Sequence, residues 1–468
     1  MSKIYAGARL RRLREERRMS QTELARLLAI SPSYLNQMEH DSRPLTVPVL
    51  LRLTEAFGVD PSFFSERDTT RLVADLREAL AGELAEARVA PADLAELASR
   101  MPGVAQVLLD LGRRNQLLSE RLTDAADGRD GEQGAPRSPH EEIRDFFYRH
   151  QNYLHDTDLA AEHLAEQIGI RGGEVVRALM ARLADKHGVR LAADSGDRLH
   201  HYDEASRTLH LSNWLRPGQR AFRMATQLAL LEYDDELDRQ ATETFPEGSA
   251  THALARIGIA NYFAGALILP YRPFHAAAEE VRYDIERLTD RYGLGYETVC
   301  HRLSTLQRPR LRGVPFSFVR VDRAGNMSKR QSATGFHFSR AGGTCPLWNV
   351  YEAFAAPGRI HVQIAEMPDG QRYLWTARAV TRHRGGWGEP GKTFAIGLGC
   401  EMRHAHRLVY SDGLDFTNAA TATRIGMGCR LCERLDCPQR AAPPLGRLLR
   451  IDQTSSTFVP YPVTDAQT

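Results

Sequence analysis

The chain has 468 residues, 42 % of them hydrophobic and 26 % charged, with a formal net charge of +2. That leaves room for two to four domains with packed cores and excludes a global positive field, so a polyanion has to be met by a local patch. No apolar run approaches the roughly 20 residues that span a bilayer, and no charged-then-apolar leader opens the sequence; it reads as cytoplasmic, without membrane contact, its six cysteines being free thiols or metal ligands and not disulfides.

The first helix is marked by Ile4, Leu10 and Leu13 and crowded by Arg9, Arg11, Arg12, Arg14, Arg17 and Arg18. Met19 to Glu39 reads as two short helices at a sharp angle. Ser20 caps the first with Glu23 three residues on, and Leu24, Ala25 and Leu28 form its apolar face. Ile30-Ser31-Pro32 makes the turn, with Ser31 as the second cap and Pro32 at the first helical position. Leu35 and Met38 then face inward while Ser33, Tyr34, Asn36 and Gln37 face out, and Val47 to Phe57 adds a helix stopped by Gly58-Val59-Asp60-Pro61. Tyr5 to Phe64 resembles the lambda-repressor-like (Xre-type) domain, a helix-turn-helix whose second helix enters the major groove of double-stranded DNA. The resemblance implies that Gln21 holds a phosphate, Arg43 touches the backbone, Ser31 stands at the same edge, and Ser33, Tyr34, Asn36 and Gln37 read bases. The alternative is a helical bundle that binds only protein.

Arg67 to Arg121 is helix-friendly throughout, interrupted near Pro91 and Pro102-Gly103. Val104, Leu108, Leu111, Asn115, Leu118 and Leu122 alternate at spacings of four and three, the seam of a short coiled coil. This segment is expected to make a homodimer, as paired half-sites require; otherwise it packs on its own chain. Thr123 to His140 has almost no apolar residue and many turn formers, so it reads as a linker.

Helices are expected at Glu141 to His155, Asp158 to Ile168 and Gly173 to His187, then a hairpin from Leu199–Tyr202 and Thr208–Leu211. Long helices follow at Pro217–Tyr233 and Ala253–Leu269. This order resembles the metallopeptidase-like domain of the ImmA/IrrE kind. Active members carry His-Glu-x-x-His on the long helix, two imidazoles on one face with a Glu as base. The matching residues here are Thr226-Gln227-Leu228-Ala229-Leu230, and the region of the acidic third ligand reads Ile257-Gly258-Ile259, so nothing there binds zinc and no enzyme is expected. Arg220, Arg223, Tyr262 and Tyr271 are candidates to line a cavity for an anionic, partly apolar ligand, against the plainer reading of surface charges and core aromatics.

Arg282 to Leu306 is helical again. From Pro315 onward Ser317–Val321, Gly335–Phe338, Ile360–Ile364, Tyr373–Trp375 and Phe394–Leu398 read as strands of a mixed α/β domain. Near the end stands Cys429-x2-Cys432-x4-Cys437-Pro438, with Cys400 as the natural fourth thiolate and Cys345 in reserve; Cys300 reads as a buried apolar residue, and His404 and His406 as ordinary polar ones. Such a set suits tetrahedral zinc or an iron–sulfur cluster, and cysteine followed by proline tilts towards iron and sulfur.

The helix-turn-helix, the degenerate long helix, Cys345-Pro346-Leu347-Trp348-Asn349-Val350-Tyr351-Glu352-Ala353-Phe354 and the cysteine run through Gln439-Arg440-Ala441 together resemble one family over nearly the whole chain: the short-chain fatty-acyl transcriptional regulators of propionate (methylcitrate) and acetate (glyoxylate) metabolism. The resemblance implies a short-chain acyl-CoA effector and a [4Fe-4S] cluster in the last domain. The expected fold is multidomain, mainly α then α+β: residues 1–66 helix-turn-helix, 67–122 helical dimerisation segment, 123–140 linker, 141–312 degenerate metallopeptidase-like sensor, and 313–468 the C-terminal domain with the cysteine cluster. The rivals are a phage-type or antitoxin-like repressor with structural zinc and a repressor-cleaving metallopeptidase.

Overall fold

Helices begin where the sequence supplies their caps. In α2 (Gln21–Leu27) the Ser20 hydroxyl accepts from the Glu23 N–H and the Glu23 carboxylate accepts from the Ser20 N–H, a reciprocal box. In α3 (Pro32–Glu39) the Ser31 Oγ accepts from the Tyr34 N–H at 3.1 Å. With α1 (Gly7–Glu16) and α4 (Val47–Phe57) they close over a core of Leu10, Leu13, Leu24, Leu28, Leu35, Met38, Val49 and Leu53. Gly7 is required where α1 meets α3, because a Cβ there would lie 2.4 Å from the Met38 carbonyl oxygen. The described residues are 7–16, 19–40, 42–57, 67–80, 89, 91–112, 115, 139–170, 174–334, 336, 344–382, 388–389, 391–416, 418–430, 432–444 and 447–463 of a computed structural model. The chain forms two units, Met1–Glu132 with Gly335–Ala341 and Gly428–Thr468, and Gln133–Thr334 with Gly342–Met427.

The first unit continues with α5 (Arg67–Ala79), α6 (Pro91–Arg100) and α7 (residues 102–112). Leu76 and Ala79 pack on Ala105 and Leu109, with Leu72, Leu80, Leu97 and Leu108 around them. The expected seam is thus divided. Leu108 turns towards α5, whereas Met101, Val104, Val107 and Leu111 form a stripe left exposed, Val107 at 59 % and Leu111 at 54 %. Leu118, Leu122 and nearly all of the expected linker lie outside the described residues, as does most of the expected strand Gly335–Phe338.

The second unit opens with α8 (Pro139–Arg149), α9 (His155–Gln167) and α10 (Val175–His187), then a three-stranded sheet in the order β1-β3-β2. The expected hairpin is β2 (His200–Asp203) and β3 (Thr208–Ser212); β1 (Arg190–Asp194), which the sequence reading passed over, pairs parallel to β3. The long helices are α11 (Pro217–Glu232) and α13 (Ala250–Ile268), with α12 (Asp234–Thr242) between. The stretch expected to run helical from Arg282 to Leu306 is cut in two after α14 (Tyr271–Glu280). Arg282 and Tyr283 take positive φ, Asp284 caps α15 (Ile285–Tyr292), and left-handed Gly293 ends it before α16 (Tyr296–Leu303).

The six-stranded sheet follows, in the order β5-β4-β8-β7-β6-β9: β4 (Ser317–Val321), β5 (Met327–Ser332), β6 (His361–Glu366), β7 (Arg372–Arg382), β8 (Lys392–Glu401) and β9 (Thr423–Arg424). One apolar core runs from Leu164, Met224, Phe263 and Val299 of the helices into Phe318, Leu374, Ile396 and Leu398 of this sheet. The expected border at 312/313 therefore separates no cores. The described end of the chain, from Gly428, belongs to the first unit and not with the sheet. No single helix among the described residues is long and apolar enough to cross a membrane.

Candidate functional sites

On α3, Ser33, Asn36 and Gln37 are exposed and Tyr34 is half-buried, its ring 5.5 Å from the Arg43 guanidinium carbon. Gln21 reaches across from α2, donating to Asn36 Oδ1 at 3.3 Å and to Glu39 Oε2 at 2.7 Å. Glu39 is buried and anchors the site: Arg14 donates to both its oxygens, at 2.7 and 3.1 Å. Burial alone would raise its carboxyl, but the bonds from Arg14 and Gln21 and the charges of Arg14 and Arg11 outweigh that and hold it below the usual range. Of the arginine-rich first helix, Arg14 and Arg11, which donates to the Glu39 carbonyl oxygen at 3.3 Å, are thus tied to the fold. The side chains of Arg9 and Arg12, and Arg17 and Arg18, lie outside the described residues. Ser31 acts as the cap, and in the outward row Ser33, Asn36 and Gln37 are exposed, Asn36 also accepting from Gln21.

The degenerate peptidase positions sit mid-way along α11. The Thr226 hydroxyl donates to the Phe222 carbonyl at 2.9 Å and lies 3.3 Å from the Asn261 side-chain amide of α13, so a hydroxyl beside an amide occupies the place of the lost imidazole. Among the described residues no group of three or more His, Cys, Asp or Glu is arranged to hold a metal ion.

The four effector candidates part company. Tyr262 donates to Asp158 at 2.8 Å. The Tyr271 hydroxyl donates to the Leu311 carbonyl at 2.9 Å and accepts the Arg308 N–H at 2.8 Å. Both tyrosines belong to a buried network in which Asp158 pairs with Arg302 at 2.6 Å and Arg308 at 2.9 Å, and Glu162 pairs with Arg308 at 2.7 Å. Their hydroxyls are committed to the fold, and burial pushes both up. Arg220 is half-buried on α11, and so is Arg223, which burial and the nearby Arg382 push below its ordinary value.

Arg382 leads to residues the sequence reading missed. Directly paired residues share a face of a sheet, so the pairings Lys329↔Arg320, Arg320↔Ile396 and Ile396↔Arg378 set three cations in one lateral row. Arg382 and Phe394 lie on the same face by alternation. Glu297 of α16 accepts from Arg320 at 2.9 Å and from Arg382, Glu286 accepts from Arg378 at 3.2 Å, and the Arg320 guanidinium lies 4.9 Å from the Phe394 ring centre. The available signal was the period-two placing of Arg378 and Arg382 on a strand.

In the first unit Cys429, Cys432 and Cys437 are half-buried in one loop. The loop wraps the buried Arg440 guanidinium, which donates to the carbonyls of Cys429 (2.5 Å), Cys432 (2.8 Å) and Arg434 (2.7 Å), and the Ala441 N–H points at Cys429 Sγ at 3.3 Å. Glu433, inside the loop, pairs with Arg77 of α5. Three thiols stand in a short loop, one already accepting a backbone N–H, and thiolates are the donor type that iron and zinc take, but they are not gathered into a group that would hold an ion. Cys400 is not in this loop. It is fully buried on the side of β8 that also bears Ile396 and Leu398, in the apolar core of the second unit, and burial pushes its thiol up. Cys345 and Cys300 are buried in the second unit as well.

Three family models cover the chain in succession: a helix-turn-helix domain over residues 6–63, an IrrE N-terminal-like domain over 184–304, and the short-chain fatty acyl coenzyme A regulator C-terminal domain over 305–461. The chain is 57 % identical to the HTH-type transcriptional regulator RamB of Mycobacterium tuberculosis, covering 98 % of this chain and 99 % of that one. The chain belongs to the short-chain fatty acyl coenzyme A regulators. It is also 47 % identical to the HTH-type transcriptional regulator PrpR of the same organism, covering 99 % and 97 % of the two chains, and 44 % identical to a propionyl-CoA carboxylase regulator of Cereibacter sphaeroides, covering 99 % of each. A solved Mycobacterium tuberculosis transcriptional regulator matches with a TM-score of 0.67 and 50 % identity, over 69 % of this chain and 99 % of that one. The protein is thus a DNA-binding transcriptional regulator.

Proposed function

We propose that this regulator is a cytoplasmic homodimer that reads paired half-sites of a double-stranded operator, controls propionate or acetate metabolism through methylcitrate- or glyoxylate-pathway genes, and responds to a short-chain acyl-CoA. The observation that carries the reading is the outward row Ser33, Asn36 and Gln37 on a helix braced by the Gln21–Glu39–Arg14 network. The names of the relatives support the metabolic assignment, and the description of the family model supports the effector class. The exposed stripe Met101, Val104, Val107 and Leu111 supports dimerisation. The contact between Thr226 and Asn261 supports a scaffold without peptidase chemistry. Regulation requires only that the effector bind one arrangement of the dimer better than another.

A [4Fe-4S] cluster, with zinc as the alternative, would be held by Cys429, Cys432 and Cys437 and a fourth thiolate. When bound it supplies one-electron redox chemistry or, as zinc, a structural cross-link. The loop's own contribution is to close its backbone carbonyls on Arg440 and to tie the segment to α5 through Glu433 and Arg77. Protein purified without oxygen and assayed for iron, zinc, acid-labile sulfide and visible absorbance, beside Cys432→Ser, Cys345→Ser and Cys400→Ser, tests both the cluster and its fourth ligand. A colourless protein with one zinc selects the structural alternative. The function itself is tested by letting the protein select fragments from a random DNA pool and titrating the complex with propionyl-CoA. Failure to enrich any sequence would sink the reading.

A further inference from the structure

We infer that the C-terminal hairpin of one protomer, carrying Leu448, Ile451 and Phe458, docks on the α7 stripe Met101, Val104, Val107 and Leu111 of a second copy of this chain, and that the reciprocal pair of these contacts forms the dimer. The inference rests on the homodimer reading and names the segment that covers the exposed helix face.

The hairpin is built by its own backbone. Leu449 and Val463 pair in an antiparallel bridge, and the Arg450 N–H donates to the Pro462 carbonyl at 2.8 Å. Beyond that bridge the Asp452 carboxylate accepts from the Thr454 N–H and from the Ser455 hydroxyl, each at 2.8 Å, and the Thr457 hydroxyl donates to the Val459 carbonyl at 2.7 Å. A turn closed in this way ordinarily shows polar side chains to water. This one holds out Leu448 at 80 %, Ile451 at 83 % and Phe458 at 90 % exposure. Large apolar side chains gathered in the open mark an interaction surface. Hairpin and stripe belong to the same unit, and both are exposed at once, so the hairpin does not cover the stripe of its own chain.

Area and charge select a second copy as the occupant. The three hairpin side chains leave roughly 500 Å² in water and the α7 stripe roughly 400 Å². Burying both on each protomer gives about 900 Å² a side, close to the ~800 Å² per partner of a stable interface. Two α7 stripes laid on each other would bury about half of that, the scale of an adventitious contact. They would also set Asp110, the charged residue of α7, near its own copy. The hairpin brings Arg447 and Arg450 with Asp452, so it meets α7 with the opposite sign of net charge. Two-fold symmetry closes the exchange, since each hairpin takes the other copy's α7 and no further copy is recruited.

The test is sedimentation velocity of the full-length protein over a concentration series, beside Phe458→Ser, Val107→Ser and the two combined. Each single substitution should weaken dimerisation at least tenfold, because a symmetric pair loses the contact twice, and should leave helix content unchanged. The combined variant should be weakened by clearly less than the product of the two single effects, as for side chains that touch. Photoreactive benzoylphenylalanine in place of Phe458, in an equal mixture of isotopically light and heavy protein, should give mixed-isotope cross-links to residues 101–111. Cross-links within one isotope only, strict additivity of the two substitutions, or a dimer that Phe458→Ser leaves at wild-type strength overturns the exchange and leaves the homodimer reading standing. Wild-type protein that stays monomeric over the whole series overturns the homodimer reading and the exchange with it.

Discussion

Gln37→Ala gives the sharpest test of base reading. Gln37 is exposed near the end of α3 and, among the described residues, has no side-chain hydrogen-bond partner, so nothing within the protein must break for it to reach a base. A bidentate amide contact to an adenine edge is worth about 1–3 kcal/mol of discrimination. A dimer places two copies on a full operator, so the loss there should be roughly 2–6 kcal/mol, on the order of 30-fold to 10⁴-fold in Kd. On a duplex bearing one half-site it should be about half that free energy. Folding should be nearly indifferent, because an exposed Gln→Ala in a helix changes stability by only a few tenths of a kcal/mol. Fluorescence anisotropy on full operator, half-site and random duplex, each over a salt series, separates the contributions. The random-DNA affinity and the salt slope should hold, whereas Arg43→Ala should lower the slope by about 1. Equal loss on operator and random DNA would refute base reading, and equal loss on half-site and full operator would refute the two-copy geometry.

Leu111→Glu, placing a charge in the exposed stripe of α7, should convert a dimer to a monomer in sedimentation velocity while leaving helix content unchanged; an unaltered mass would remove this helix from the interface. Asp158→Ala strands the Arg302 guanidinium in the core and leaves Arg308 with Glu162 as its carboxylate, which costs about 3–5 kcal/mol and should lower the melting temperature of the second unit by roughly 6–20 °C; a shift under about 2 °C would mean the network contributes little. Glu39 has its folded pKa held below the ordinary 4.5, so the stability it lends α1 and α3 is present above that value and is lost as pH falls through the lower folded one. Hydrogen exchange of α3 amides should therefore accelerate below about pH 4.5 in wild type and change less across that window in Glu39→Gln; identical profiles would remove Glu39 as the cause.

What the sequence makes legible here is local. Caps such as Ser20 with Glu23 and Ser31 with Pro32 act within one turn, and the structure has both. What escapes it is set by distant partners. Nothing near Tyr262 announces Asp158, 104 residues away in the chain, and the charge pair of Asp158 with Arg302 spans 144. β1 is short and half alanine-like in its apolar positions, so its pattern is weak, and it is the parallel register with β3 that makes it a strand. The shared core across residues 312/313 was hidden because helices and sheet each carry a sufficient apolar pattern of their own. Cys400 is different. Phe394, Ile396, Leu398 and Cys400 alternate on β8, and that parity already put the thiol on the apolar side. The sequence reading weighed Cys400 as the natural fourth thiolate, and the Cys345→Ser and Cys400→Ser variants test which thiol fills that place.

The fate of α11 explains how a hydrolase scaffold serves a regulator. A peptidase of the ImmA/IrrE kind needs two imidazoles and a carboxylate on one helix face and an acidic ligand from the next long helix. Here those places hold Thr226, Gln227 and Leu230, with Ile257 and Ile259 around the last, and the Thr226 hydroxyl lies beside Asn261. Restoring a histidine at Thr226 alone would insert a large polar ring beside Asn261 without the other ligands, so no single reversal recovers a metal site. Arg223 lies three residues earlier, close to one turn along the same helix. Arg223 is half-buried there, and burial and the nearby Arg382 push it below its ordinary value. The packing of α11 on α13 through Met224, Leu228, Ile259 and Phe263 holds both helices in place.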